Sequence, residues 1–237
     1  MEIARFTYLL LLVLTLGYPL YKSFEPRIRF YRRFRYILPS LLFSALPFWI
    51  WDIAFEQSGV WHFNPGYTIG ISLWGLPLEE WLFFLIVPFA CFFIYEVVLY
   101  FTGNKPLPYI KPFTWALSVS LLITGILSHE RLYTFINFTL AALLLMTMLL
   151  RSIHPGKLSG FLKGYVVSLL PFFLVNGALT KIPVVLYNNA ENLNLRIYSI
   201  PVEDMVYLLS LLFLNFWIYE SLKRYDQRRK KTVKGGD

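Results

Sequence analysis

The chain has 237 residues, of which 57% are hydrophobic and 19% aromatic, and only 15% carry charge. That balance lies outside the range of soluble globular domains and reads as a polytopic membrane protein. The basic excess, 22 Lys and Arg against 14 Asp and Glu, clusters between apolar runs, which argues against a nucleic-acid surface and for a topology signal.

Apolar runs at about 3–21, 37–55, 77–101, 111–128, 132–150, 161–179 and 201–222 are each about long enough to cross a ~30 Å hydrocarbon core as a helix. The fold expected is an all-α integral membrane protein of about seven transmembrane helices. The first run has the length of a signal peptide, but no A-x-A-like cleavage site precedes the basic cluster that follows, so it is expected to be retained. If the N-terminus is outside, 18 basic residues fall on the cytoplasmic side, including Arg33, Lys157 and the seven from Lys223 to Lys234. Only Arg5, Arg131, Lys181 and Arg196 fall on the other side. The chain is therefore expected in the cytoplasmic membrane with its C-terminus inside and its basic tail near anionic lipid.

Shifting the chain by 124 residues without gaps aligns 37–96 with 161–220 and yields sixteen identities. Pro47 falls on Pro171, Asn64 on Asn188, Pro77 on Pro201, Glu79 on Glu203 and Glu96 on Glu220, while Glu80 meets Asp204 and Asp52 meets Asn176. A three-helix unit is duplicated. Three is odd, so a linking helix is needed for the two units to point the same way, and the fourth run supplies it. Helices 1–3 and 5–7 then form parallel repeats about a pseudo-twofold axis along the membrane normal. The expected segments are 1–104 and 131–225 for the repeats, 105–130 for the link and 226–237 for the basic tail.

Each repeat carries proline, an apolar residue, then two acids: Pro77 to Glu80, and Pro201 to Asp204. Acids in a first helical turn suit the macrodipole, worth about 0.3–1 kcal/mol. A charged carboxylate at membrane depth costs about 2.5–3.5 kcal/mol on insertion scales, so the dipole alone does not explain them. Fifteen uncharged residues separate Glu80 from Glu96, and fifteen separate Asp204 from Glu220. At ~1.5 Å per residue that covers about 22 Å, short of the ~30 Å core. The four acids Glu79, Glu80, Glu203 and Asp204 should therefore face a protein interior, paired or protonated, as a general-acid constellation.

Asp52 near the end of the second helix, with Asn176, Asn64 and Asn188, supplies candidate supporting polar groups. Trp51, Trp61, Trp74, Phe83, Phe84, Tyr187 and Tyr207 are candidates to line a substrate site or stabilise a cation through their ring faces, and the loop 56–76 is a candidate lid. The three histidines lack ligand spacing and no metal is expected. Neither a dinucleotide fingerprint nor a P-loop occurs, and no cofactor is expected. Gly156, Gly160 and Gly164 suggest close helix contact rather than phosphate binding. The single cysteine, Cys91, reads as a packing residue.

The pattern WD (51–52), GVWHFNPGYTIG (59–70), LPLEEWLFF (76–84) and YE (95–96), followed by IPVVLYNNAEN (182–192), IPVED (200–204) and YE (219–220), resembles the membrane-integral lycopene cyclases. These are the heterodimeric or fused carotenoid cyclases of bacteria, archaea and fungi, distinct from flavin-dependent cyclases. The resemblance implies lycopene β-cyclase activity: acid-catalysed closure of the ψ end groups of lycopene, or of a related linear carotenoid, to β-ionone rings, with no net redox change. It implies Glu79, Glu80, Glu203 and Asp204 as the acids, an intramolecular-lyase type of isomerase, and the fused form that needs no second subunit. Membrane lipid and other carotenoid-biosynthesis enzymes are the remaining expected partners. The alternative from a different class is a proton-coupled membrane transporter, which also uses immersed carboxylates on repeated helices.

Overall fold

A computed structural model describes residues 3–151 and 153–234, so the last three residues of the expected basic tail lie outside the described residues. Seven helices long and apolar enough to cross a membrane are found among them. They are α1 (Thr7–Lys22), α2 (Phe34–Gln57), α3 (Leu78–Thr102), α4 (Ile110–Leu127), α5 (Leu132–Leu150), α6 (Pro155–Lys181) and α7 (Val202–Lys234). Each expected run is recovered. Helix α6 begins six residues before the expected start at 161. The cause is packing: Gly160 and Gly164 sit against Leu99 and Tyr95 at the end of α3, where an added Cβ would meet side chain or backbone within 3.2 Å. Apolar pattern alone does not show a helical turn that is held by the absence of side chains.

Helix α3 leans on α1 and α6, and α7 on α5 and α2, while α4 packs on α5 as the linking helix. This exchange is what two parallel repeats related by a twofold require, with α1–α3 and α5–α7 as equivalents. Three two-stranded ribbons cover one end. Strands β2 (Ser72–Leu73) and β3 (Leu76–Pro77) form a hairpin that leads into α3, and β5 (Arg196–Ile197) and β6 (Ile200–Pro201) form its copy before α7. Trp74 and Tyr198, at the same place in the two turns, both adopt the left-handed backbone, with φ of 52° and 61°.

The third ribbon joins the repeats. Strand β1 (Trp61–Phe63) pairs antiparallel with β4 (Val185–Tyr187), and His62 faces Leu186. Those two residues are themselves 124 apart, so the pair is its own repeat partner and the pseudo-twofold axis passes through it. The axis that brings β1 onto β4 also brings the starts of α3 and α7 together beneath the ribbon. Helices α2 and α6 carry prolines at equivalent interior positions, Pro47 and its copy Pro171.

Candidate active site

Helices α3 and α7 each start directly after a proline in extended conformation, which ends the hairpin and places two acids in the first turn. Adjacent residues on a helix point about 100° apart, and the two acids of each pair accordingly diverge. Glu80 and Asp204 enter one shared pocket, together with Asp52 from α2 and Asn176 from α6. The other two, Glu79 and Glu203, turn away from it.

In the pocket the two repeats differ. Glu80 accepts a hydrogen bond from the Tyr8 hydroxyl at 2.5 Å, and its carboxyl lines the same pocket as that of Asp52. Asp52 accepts from the Tyr207 hydroxyl at 2.7 Å. Two buried carboxyl groups in one pocket disfavour each other's ionisation, which favours a shared proton. On the other side Asn176 stands where Asp52 would be, and its Nδ2 donates to Asp204 at 2.7 Å. Asp204 also accepts from Tyr133 at 2.7 Å and Tyr187 at 2.8 Å. Three donors and no acceptor hydrogen bond suit an ionised carboxylate. Burial and the neighbouring Asp204 carboxylate push the Tyr187 phenol well up, so it remains a donor.

Glu79 and Glu203 are fully buried and tie down the covering loops. Glu79 Oε1 accepts from the Ile69 backbone N–H at 2.7 Å, and Glu203 Oε1 accepts from Leu193 N–H at 2.7 Å, the equivalent position in the second repeat. Thr134 and Asn137 of α5 hold the Glu203 side chain and carbonyl from below. The second oxygen of each of these acids has no hydrogen-bond partner among the described residues.

The pocket is small, about 50 Å³, with walls formed by Trp61, Phe63, Phe83, Tyr133, Phe172, Tyr187 and Tyr207. Trp61 and Phe63 come from β1, so the loop expected as a lid does cover the acids. Of the other residues singled out in the sequence, Trp51 packs on Phe48 and Tyr207 behind the wall, and Phe84 packs beside them. Trp74 is 72% exposed at the hairpin turn and rests on Trp81. Asn64 and Asn188 cap their own loops through backbone N–H groups of Gly66 and Ala190. The structure therefore brings together Asp52, Asn176, Glu80, Asp204, Trp61, Phe83, Tyr187 and Tyr207, and not the other seven.

Of the aromatic lining residues, Tyr8, Tyr133 and Phe172 went unnoticed in the sequence. Tyr8 and Tyr133 are equivalents but lie 125 apart rather than 124, so a gapless comparison misses them by one residue. Phe172 lies within the aligned stretch, at the counterpart of Phe48.

A larger apolar groove of about 430 Å³ adjoins the pocket between α1, α3 and α6 and shares Phe83, Phe172 and Asn176 with it. At the opposite end of the bundle the two Tyr-Glu pairs are neutralised by cations. Arg33 bonds Glu96 at 2.9 Å, Tyr219 donates to Glu96, and Lys157 and Lys223 pair with Glu220. Arg33 and Lys157 are again 124 apart.

A family model described as lycopene cyclase matches residues 5–98 and 130–222, which covers both repeats and omits α4. Nothing matches among curated proteins or among solved structures.

Proposed function

The chain belongs to the lycopene cyclase family, and we propose that it closes the ψ end groups of lycopene to β-ionone rings by proton catalysis. The observation that carries the reading is the pairing of Asp52 with Glu80 on one side of the pocket, opposite Asp204 held by three donors on the other. One side stores a proton and the other is ready to take one. That division is what an isomerisation with a proton in and a proton out needs.

The Asp52–Glu80 pair delivers its proton to the terminal double bond of the end group, which leaves a tertiary cation. The nearby double bond attacks that cation, a carbon–carbon bond forms, and the ring closes with the charge moved to a ring carbon. Asp204 removes the proton from the neighbouring carbon, and the new ring double bond forms. Which hydrogen Asp204 reaches, on one neighbouring ring carbon, on the other, or on the attached methyl group, decides between β, ε and γ products. The proton returns across the pocket to the Asp52–Glu80 pair, so no redox partner is consumed.

An alkene is a very weak base, so most of the rate must come from stabilising the cation. The Asp204 carboxylate and the faces of Trp61, Tyr133, Tyr187 and Tyr207 surround the place where charge develops, in a space that the β1 lid closes to water. Exclusion of water also prevents its capture of the cation as an alcohol. The role of Glu79 and Glu203 in this reading is to hold the lid loops. The single chain carries both halves and works in the cytoplasmic membrane with its basic end inside.

The test is expression in a lycopene-accumulating host with pigments read by chromatography. Ring-bearing carotenoids are expected, and unchanged lycopene beside a well-inserted chain would reject the reading. A transporter would leave the pigments unaltered and dissipate a proton gradient instead.

A further inference from the structure

We infer that the groove between α1, α3 and α6 seats the unreacted length of the polyene, and that loading occurs from this side alone, so that each binding event closes one end. The inference rests on the cyclase reading and adds which face of the bundle admits substrate and how many ends one visit can process. The groove is continuous with the acid pocket through Phe83, Phe172 and Asn176, and its wall is almost entirely apolar, with Leu11, Val87, Ala90, Ile94 and Val175 along its length. From Phe83 to Ile94 it follows α3 for eleven residues, about 16 Å at ~1.5 Å per residue. That is about half of a ~30 Å core, so a linear isoprenoid chain entering the pocket by one end lies along it and projects into lipid.

The reason for a single side is a break in the repeat. At the equivalent place between α5, α7 and α2, Val175 is replaced by Trp51 and Ala90 by Leu214, while Phe172 keeps its type in Phe48. Trp51 stacks on Phe48 with centroids 5.6 Å apart and lies tilted against Tyr207 at 4.9 Å. Trp51 and Leu214 therefore place more side-chain volume on that side than Val175 and Ala90 place along the groove. Since the acid pair also exists once, a doubly cyclised product requires the half-closed molecule to leave, reverse and enter again.

The experiment uses the full chain in lipid nanodiscs and two readouts. Lycopene binding is followed by quenching of tryptophan emission, without reference to turnover. Val175→Trp, which copies Trp51 into the groove, should weaken binding at least tenfold, and Ala90→Phe should do likewise if the first variant fails to fold. Leu143→Trp on the exposed face of α5 should leave binding unchanged. Equal binding by wild type and by a folded groove variant would overturn the assignment and leave the groove to lipid acyl chains. In the second readout, unlabelled lycopene is supplied with an excess of isotopically labelled monocyclic carotenoid. Label in the bicyclic product, or arrest at the monocycle, supports one end per visit, and an unlabelled bicyclic product overturns it. Failure to form any ring would reject the cyclase reading while the binding titration still judges the groove.

Discussion

Asp52→Asn separates the shared-proton reading from a merely structural one. The replacement keeps the shape and most of the hydrogen bonds: Oδ1 still accepts from Tyr207, and the new Nδ2 can donate to Glu80 as Asn176 already donates to Asp204 at 2.7 Å. One carboxyl–carboxyl hydrogen bond is exchanged for one amide–carboxylate bond, so stability should change by only about 1 kcal/mol. The chemistry should suffer far more. Without Asp52 the pocket has no pair obliged to hold a proton, and Glu80 faces a donor instead of a proton-sharing partner. A positioned general acid contributes about 10²–10⁴ in rate, and an alkene offers no easier route. The assay is pigment conversion per inserted chain, with chain quantified in the membrane fraction and its melting temperature measured in detergent. A variant that melts within a few degrees of wild type and retains more than one tenth of its rate would refute the reasoning.

The two acids of each pair should behave differently. Glu80→Gln should abolish ring formation, whereas Glu79→Gln, which keeps an oxygen for the Ile69 N–H and gives the unpaired second oxygen a neutral replacement, should retain most of it; equal loss in both would return Glu79 to the chemistry. Tyr187→Phe removes one of three donors to Asp204, a charge-assisted bond of about 1.5–3 kcal/mol, and should slow turnover and shift the ratio of ring isomers on the chromatogram. At the other end, Arg33→Ala leaves Glu96 buried with only Tyr219. Breaking a buried pair costs about 3–5 kcal/mol, and the partial exposure of Arg33 puts the expected loss at about 3 or less, read as a lower melting temperature that Arg33→Ala/Glu96→Gln partly restores.

The seven helices, the duplication and the immersed acids were legible because each follows from one-dimensional facts: run length, a fixed offset and the cost of charge in lipid. The division of labour within each acidic pair was not. Sequence shows Glu79 and Glu80 as neighbours, and only the start of α3 decides which faces the axis and which faces the Ile69 loop. Asp52 was legible as a polar candidate, but its place beside Glu80 depends on how α2 packs against α3, a distance no spacing rule supplies. Trp74 was misleading for a related reason. It neighbours the motif in the chain, yet the left-handed turn aims it outward. The Gly160 and Gly164 contact was foreseen as close packing, although not that it would lengthen α6.

A duplicated protein with a twofold axis should, by symmetry, have two equal acid sites or one symmetric site, and this chain has neither. The departures fall on the same side of the axis in a consistent sense: Asp52 against Asn176 makes one acid pair, and Trp51 against Val175 leaves one groove. A proton donor opposite a proton acceptor is useful only if the two sides differ, so the proposed chemistry rests on the asymmetry in the polar set. The double exchange Asp52→Asn/Asn176→Asp tests this. It rebuilds the shared-proton pair between positions 176 and 204 and leaves position 80 with an amide donor, so the roles of Glu80 and Asp204 reverse around an unchanged net count of carboxyls. Activity above either single variant is expected, with an altered proportion of ring isomers because the base now approaches from the other face. If the double variant is no more active than Asp52→Asn while remaining folded, the proton store depends on more than the carboxyl pair, and the three donors around Asp204 cannot be read as the mark of the base.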